Sequence, residues 1–344
     1  MPQRIPLFRF SLGRRFGVGG RGEFFHVTSV AFDPVGGLVF VPDCGCRRIQ
    51  VFSTDDDGLF VSMFGHEGSF DGEFNGPIGV AIDHKGRRVF AADSLNHRLQ
   101  VFSMEHLSFL FSIGRHGVRP GMFRQPTRLC VDSERDRVMV VDSLNQRVQV
   151  LSTIDGSYLF ELDMNAALPP QCVPNFVELD KHHDRIIVGD LANHRVLVYA
   201  IDGSFLFEFG SFGKLPGQFN QPSSVCIDNH GRIIVADARN SRLQAFTPYG
   251  RYISSFESTS WRPWGVAFDE YRGLIAFTAG NQVHAIEANQ WLPDTFIWRP
   301  DRHAYAPKYM KQAALTMAMI RSLVHESIVS LVPNELLFLI FEML

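Results

Sequence analysis

A single phrase recurs along this chain at intervals of just under fifty residues, and it constrains the fold more than any other feature. An Asp is followed three positions on by Asn, two later by Arg, and then by an apolar run. The phrase reads Asp93-SL-Asn96-H-Arg98-LQVF, Asp142-SL-Asn145-Q-Arg147-VQVL, Asp190-LA-Asn193-H-Arg195-VLVY and Asp237-AR-Asn240-S-Arg242-LQAF. An earlier copy, Asp43-CG-Cys46-R-Arg48-IQVF, carries Cys at the Asn position, and a decayed sixth runs through Asn281-QVHAI. Asn96, Asn145, Asn193 and Asn240 stand 49, 48 and 47 residues apart. Self-similarity at such a period means a stack or ring of supersecondary units, each too small to bury its own faces.

Each copy has the same neighbours. Upstream lies a short apolar run ending in Asp, as in VTSVAFD, PIGVAID, PTRLCVD, PNFVELD, PSSVCID and PWGVAFD. Before it comes a glycine-rich connector, such as 64–77 (FGHEGSFDGEFNGP) or 209–222 (FGSFGKLPGQFNQP). A Phe-rich run follows the phrase: FLFSIG, YLFELD or FLFEFG. One period therefore holds four short strands, parted by turns such as HKG (84–86) and IDG (201–203). A four-stranded sheet has two faces to bury, and packing blades around an axis covers both. The expected fold is all-β, a six-bladed β-propeller over residues 5–290, with the Phe-rich fourth strands filling the space between blades. The 31 Phe against 4 Trp and 7 Tyr suit such face-to-face strands. The sixth copy lacks its own Phe-rich strand, and LFRFSLG at 7–13 has that pattern. The N-terminal strand is expected to complete the last blade and close the ring.

The Asp-x-x-Asn-x-Arg phrase with its FG…G.F..P connector resembles the NHL repeat family over roughly residues 5–290. The resemblance implies a six-bladed ring whose ligands bind on the face shared by the connectors and the turns between strands two and three. That face would carry Arg47, His66, His97, Arg115, His116, Arg119, Arg124, His194 and Lys214, a modestly basic surface for a protein or peptide ligand, or for RNA. The other reading of these residues is ordinary loop polarity. The repeated Asp and Arg are expected to pair across each turn as scaffold, because a catalytic group is needed once and a scaffold group in every repeat.

Some six-bladed propellers are metal-dependent lactonases or lyases, with ligands on the innermost strands. The matching positions here are Thr28, Ile78, Thr127, Asn175, Ser223 and Trp264, a set without carboxylate or imidazole, so the channel is expected to offer one Asn at most. With no GxSxG, HExxH or P-loop pattern, the expectation is a non-enzyme with no catalytic residue, metal or cofactor. A net charge of −3 excludes a uniformly basic surface while leaving room for one basic face. Five cysteines form no even framework and no CxxC pair, which points to a reducing compartment. No run reaches the length of a membrane span, so a cytoplasmic protein is expected.

After the ring the composition shifts. Residues 291–307 (WLPDTFIWRPDRHAYAP) read as an irregular linker packed on the ring, and 308–344 as a helical tail. The segment VPNELLFLIFEML resembles the opening of an F-box, with Val332 in place of the usual Leu. That resemblance implies docking to a Skp-type adaptor of a ubiquitin ligase through Pro333, Leu336, Leu337, Ile340, Phe341 and Leu344. The stretch 315–344 also resembles a SOCS box, which would imply elongin. A structural cap on the ring is the alternative. Together these features predict a protein-interaction scaffold, in its sharper form a ubiquitin-ligase substrate adaptor, with an RNA-binding propeller as the alternative.

Overall fold

In the computed structural model, which describes residues 8–12, 20–55, 58–164, 171–257 and 261–292, the strands form six four-stranded antiparallel sheets. Blades 1 to 5 span 31–64, 77–113, 126–161, 174–209 and 222–257. In each the chain runs outward, from the innermost strand to the outermost. Blade 6 takes three strands from 263–287 and its outermost strand, Phe8–Leu12, from the N-terminus. Phe8–Leu12 pairs antiparallel with Gln282–Glu287, setting Leu12 opposite Val283 and Phe8 opposite Ile286. Inner strands contact their neighbours in sequence order and the first meets the last, so the ring is closed and blades 3 and 6 stand opposite each other. The described residues fall within one compact unit, Met1–Asp294. The helical tail and its F-box-like residues lie outside the described residues. Among the described residues no helix is long and apolar enough to cross a membrane.

The repeated phrase is a buried polar brace. In blade 2, fully buried Asp93 accepts from the Asn75 backbone N–H at 2.7 Å, from Asn96 Nδ2 and Arg98 Nε at 2.9 Å each, and from Gln100 Nε2 at 3.1 Å. Arg98 Nη2 then donates to the Phe70 carbonyl at 2.6 Å, and Gln100 Nε2 to that of Glu73 at 2.6 Å. Each turn is thereby tied to its glycine-rich connector. Burying these groups costs little because nearly every donor has an acceptor. The Gln, unnoticed as a motif in the sequence, recurs as Gln50, Gln149 and Gln244, each accepting a connector glycine N–H through Oε1. Blade 4 has Leu197 there, and its connector lacks the FG…G.F pattern, so the Gln bond is lost with its partner, while Asp190 keeps its bonds from Val173, Asn193 and Arg195.

Apolar filling departs from expectation. The fourth strands alternate half-buried with exposed side chains, so they line the ring's outer wall more than its core. The space between blades is filled by a Phe from the connector, a Phe from strand three and the last residue of the preceding fourth strand. Phe74 and Phe64 flank Phe102 at ring-centroid distances of 5.5 and 4.8 Å, and Phe219 and Phe209 flank Phe246 at 5.4 and 4.9 Å. Gly65 makes the fold-back feasible: its φ is +81°, and a Cβ there would lie 2.3 Å from the Phe74 ring. After the last strand, the short helix Ala288–Trp291 leads Trp291 and Leu292 into the core shared by blades 5 and 6.

Candidate functional site

The sequence-selected residues do share one face, and the structure sorts them into two kinds. His97, in the turn of blade 2, accepts at Nδ1 from the Gln125 backbone N–H at 3.0 Å, and His194 does the same for Gln221 in the connector entering blade 5. Gln125 and Gln221 adopt left-handed φ of 56° and 55°, where the connector into blade 2 has Gly76 and its facing turn has Arg47. A side chain costs about 1–2 kcal/mol in that conformation, and the histidine acceptor offsets part of it. His97 and His194 are thus inter-blade braces. Burial, reinforced by the charges of His116 and Arg124, holds His97 below its ordinary pKa, which suits an acceptor nitrogen. Arg47 pairs with Glu67 at 3.2 Å and His66 with Glu73 at 3.3 Å.

The remaining members are exposed. Arg115, Arg119, Arg124 and Lys214 make no ion pair with a carboxylate among the described residues, and His116 stacks against His97 at 4.5 Å. Between them stand apolar side chains that sequence reasoning did not single out. Phe70 is 77% and Phe212 66% exposed, and Phe25, Val118, Leu215 and Trp264 lie open on the same face. The opposite face offers Val35, Ile154 and Tyr271. Their position in the repeat was the available clue: Phe70, Val118 and Leu215 occupy exposed connector tips, where the braces engage backbone carbonyls and leave the side chains open.

The central channel corrects the sequence reading. Several of the positions that match metal-ligand sites of other propellers make girdle bonds between blades: Thr28 Oγ1 donates to the Ile78 carbonyl at 2.7 Å, Asn175 Nδ2 to that of Pro222 at 2.6 Å and Ser223 Oγ to that of Pro263 at 3.0 Å. The channel nevertheless holds more than one Asn. Arg128 and Glu178 line it, because the innermost strand is the sheet edge at the axis and side chains from both its faces border the lumen. Among the described residues no group of three His, Cys, Asp or Glu is placed to hold a metal.

Burial pushes the Glu178 carboxyl up to about 7, against a hydrogen bond from the Leu179 N–H at 3.0 Å and the charge of Lys181, both of which favour ionisation. An acid whose native pKa exceeds its unfolded value of 4.5 binds a proton the unfolded chain has lost, so it costs stability as pH rises from about 4.5 through about 7. E178Q is therefore expected to match the wild type at pH 4 and exceed it at pH 8. The expected gain is about 1 kcal/mol once channel water is discounted, or roughly 2–4 °C in unfolding midpoint. Thermal unfolding at the two pH values checks it.

A family model for the NHL repeat matches residues 74–102 and 219–246, each span running from a connector Phe to the Phe of strand three. No curated protein matches the chain in sequence. Among solved structures it is similar to a protein of unknown function from Bacteroides thetaiotaomicron, with a TM-score of 0.59 and 16% identity, covering 82% of this chain and 74% of that one. A catalytically inactive virginiamycin B lyase from Staphylococcus aureus, solved with quinupristin, gives 0.57 and 12%, covering 79% and 82%. A chain of the nidogen/laminin complex gives 0.55 and 19%, covering 70% and 84%. At such identities the likeness is one of fold, shared by enzymes and non-enzymes alike. The strand order, the ring closure and the matched repeats agree: this chain is a six-bladed β-propeller, and two of its repeats match the NHL repeat.

Proposed function

We propose that this chain is a non-catalytic protein-interaction scaffold whose connector face binds an acidic peptide segment carrying aromatic or aliphatic anchors. The observation that carries this reading is the co-location of exposed Phe70, Phe212, Val118 and Leu215 with cations that have no carboxylate partner among the described residues. Large exposed apolar side chains gathered on one face mark interaction surfaces, and unpaired arginines beside them select acidic partners. The fold is compatible with this role, and one similar chain is found in the nidogen/laminin complex.

Selection of displayed peptides on the full chain tests the reading. Enriched peptides should combine Asp or Glu with Phe, Trp or Leu. Joint replacement of Arg115, Arg119 and Arg124 by Ser should weaken them about tenfold, at roughly 0.5 kcal/mol for each exposed contact. Affinity unchanged by those substitutions would sink the proposal. Tight, steeply salt-dependent binding of single-stranded RNA would instead favour the RNA reading. The ubiquitin-ligase form of the proposal rests on the F-box-like sequence at 332–344. It requires that Skp, elongin or cullin subunits be captured by the full chain and lost from one ending at residue 297.

A further inference from the structure

Two side chains in the central channel break the six-fold repeat. At the position of Arg128 the other blades carry Ser29, Gly79, Phe176, Ser224 and Gly265; at that of Glu178 they carry Ala31, Ala81, Cys130, Cys226 and Ala267. The propeller therefore needs neither charge to fold, and departures from a repeat rule are where functional groups are found. The Arg128 guanidinium crosses the channel to the opposite blade, where Nη2 donates to the Trp264 carbonyl at 3.2 Å. It forms no ion pair with a described carboxylate, and burial alone pulls its pKa down to about 10. Half-buried in the channel and without a described carboxylate partner, this guanidinium keeps donors available to an anion.

From Arg128 a cavity of about 200 Å³ runs between walls that include Ala31, Ala81, Cys130, Glu178 and Cys226. It reaches the face opposite the connectors, where His84, Lys181, His182 and Glu270 stand at the rim. Oε1 of Glu178 accepts from the Leu179 N–H, and Oε2 accepts no hydrogen bond from a described residue. At about 3.3 Å per residue, Glu178 lies some 7 Å further along the inner strands than Arg128. The volume is that of roughly seven waters at about 30 Å³ each.

We propose that this cavity binds a compact amino acid-like zwitterion, its carboxylate held by Arg128 at the floor and its amine by Glu178 on the wall. The guanidinium fork matches a carboxylate with two parallel hydrogen bonds. That axial offset, with the guanidinium reaching the blade 6 side of the channel and Glu178 on blade 4, calls for a carboxylate and an amine parted by at least three or four methylenes. Its mouth and the peptide face lie at opposite ends of the channel.

Calorimetric titration of the full chain with γ-aminobutyrate, δ-aminovalerate and butyrate provides the test. At least one zwitterion should bind the wild type, and more tightly than butyrate. R128S should weaken it tenfold or more, and R128K less, since an ammonium keeps the charge and loses the fork. E178A should bring the zwitterion down to the affinity of butyrate. Ser and Ala are residues the other blades carry at these positions, so the ring should fold, as an unfolding midpoint would show. Should R128S fail to fold, R128K and E178A carry the test alone. The proposal is overturned if neither zwitterion binds the wild type, if arginine substitution leaves affinity unchanged, or if E178A still prefers the zwitterion.

Discussion

Asp93→Ala should destabilise the ring by about 3–5 kcal/mol, the cost of removing one partner from a buried, hydrogen-bonded ion pair. Four donors lose their acceptor together: the Asn75 N–H, Asn96 Nδ2, Arg98 Nε and Gln100 Nε2. The Arg98 side chain is only 13% exposed, so water cannot replace the carboxylate without opening the turn. The turn and connector should loosen together, because both hang on the same carboxylate. Asp71→Ala is the matched control. It pairs with the same arginine, at 3.5 Å, but its side chain is 66% exposed, and its loss should cost no more than about 0.5 kcal/mol. Urea unfolding of the two variants separates the cases. Equal midpoints would mean that the buried brace contributes nothing beyond a surface pair.

The second large effect concerns ring closure. Removing residues 1–12 strips the outermost strand from blade 6 and exposes the edge of Gln282–Glu287, which now pairs with Phe8–Leu12. At about 1 kcal/mol for each lost ladder bond, the deletion should cost about 4 kcal/mol and lower the unfolding midpoint by roughly 10 °C. An unpaired strand edge also invites pairing with another chain, so the truncated protein should self-associate. A peptide of sequence IPLFRFSLG added in excess should restore both midpoint and monomer, since a ligand that binds the native state stabilises it by mass action. If the truncation unfolds at the wild-type temperature, the closing strand is not what holds the ring shut. If it is destabilised but the peptide fails to rescue it, the strand acts through something other than edge pairing.

Most of the architecture was legible in the linear sequence. Asp93, Asn96 and Arg98 recur in step because a brace between turn and connector is wanted in every blade, and the missing sixth fourth-strand pointed to LFRFSLG. Both are local demands: residues five apart across a tight turn, and a hydrophobic pattern that must find an edge. The connector face was half legible. Arg115, Arg119 and Arg124 were found because charge can be read from composition. The structural duty of His97 and His194 was not, since it depends on a left-handed Gln some 28 residues away whose backbone N–H they accept.

The sequence by itself thus determined the blade, the count of blades and the face on which their loops gather, because these follow from short-range patterning repeated at one period. Tertiary structure alone decided what the repeat leaves free. Arg128 and Trp264 are 136 residues apart and meet because a six-blade ring sets blade 3 opposite blade 6. Glu178 is an unremarkable strand residue until the ring encloses it, and that loss of water pushes its carboxyl up to about 7. Which side chains are shut in together around an axis is a property of closure, and no local spacing encodes it.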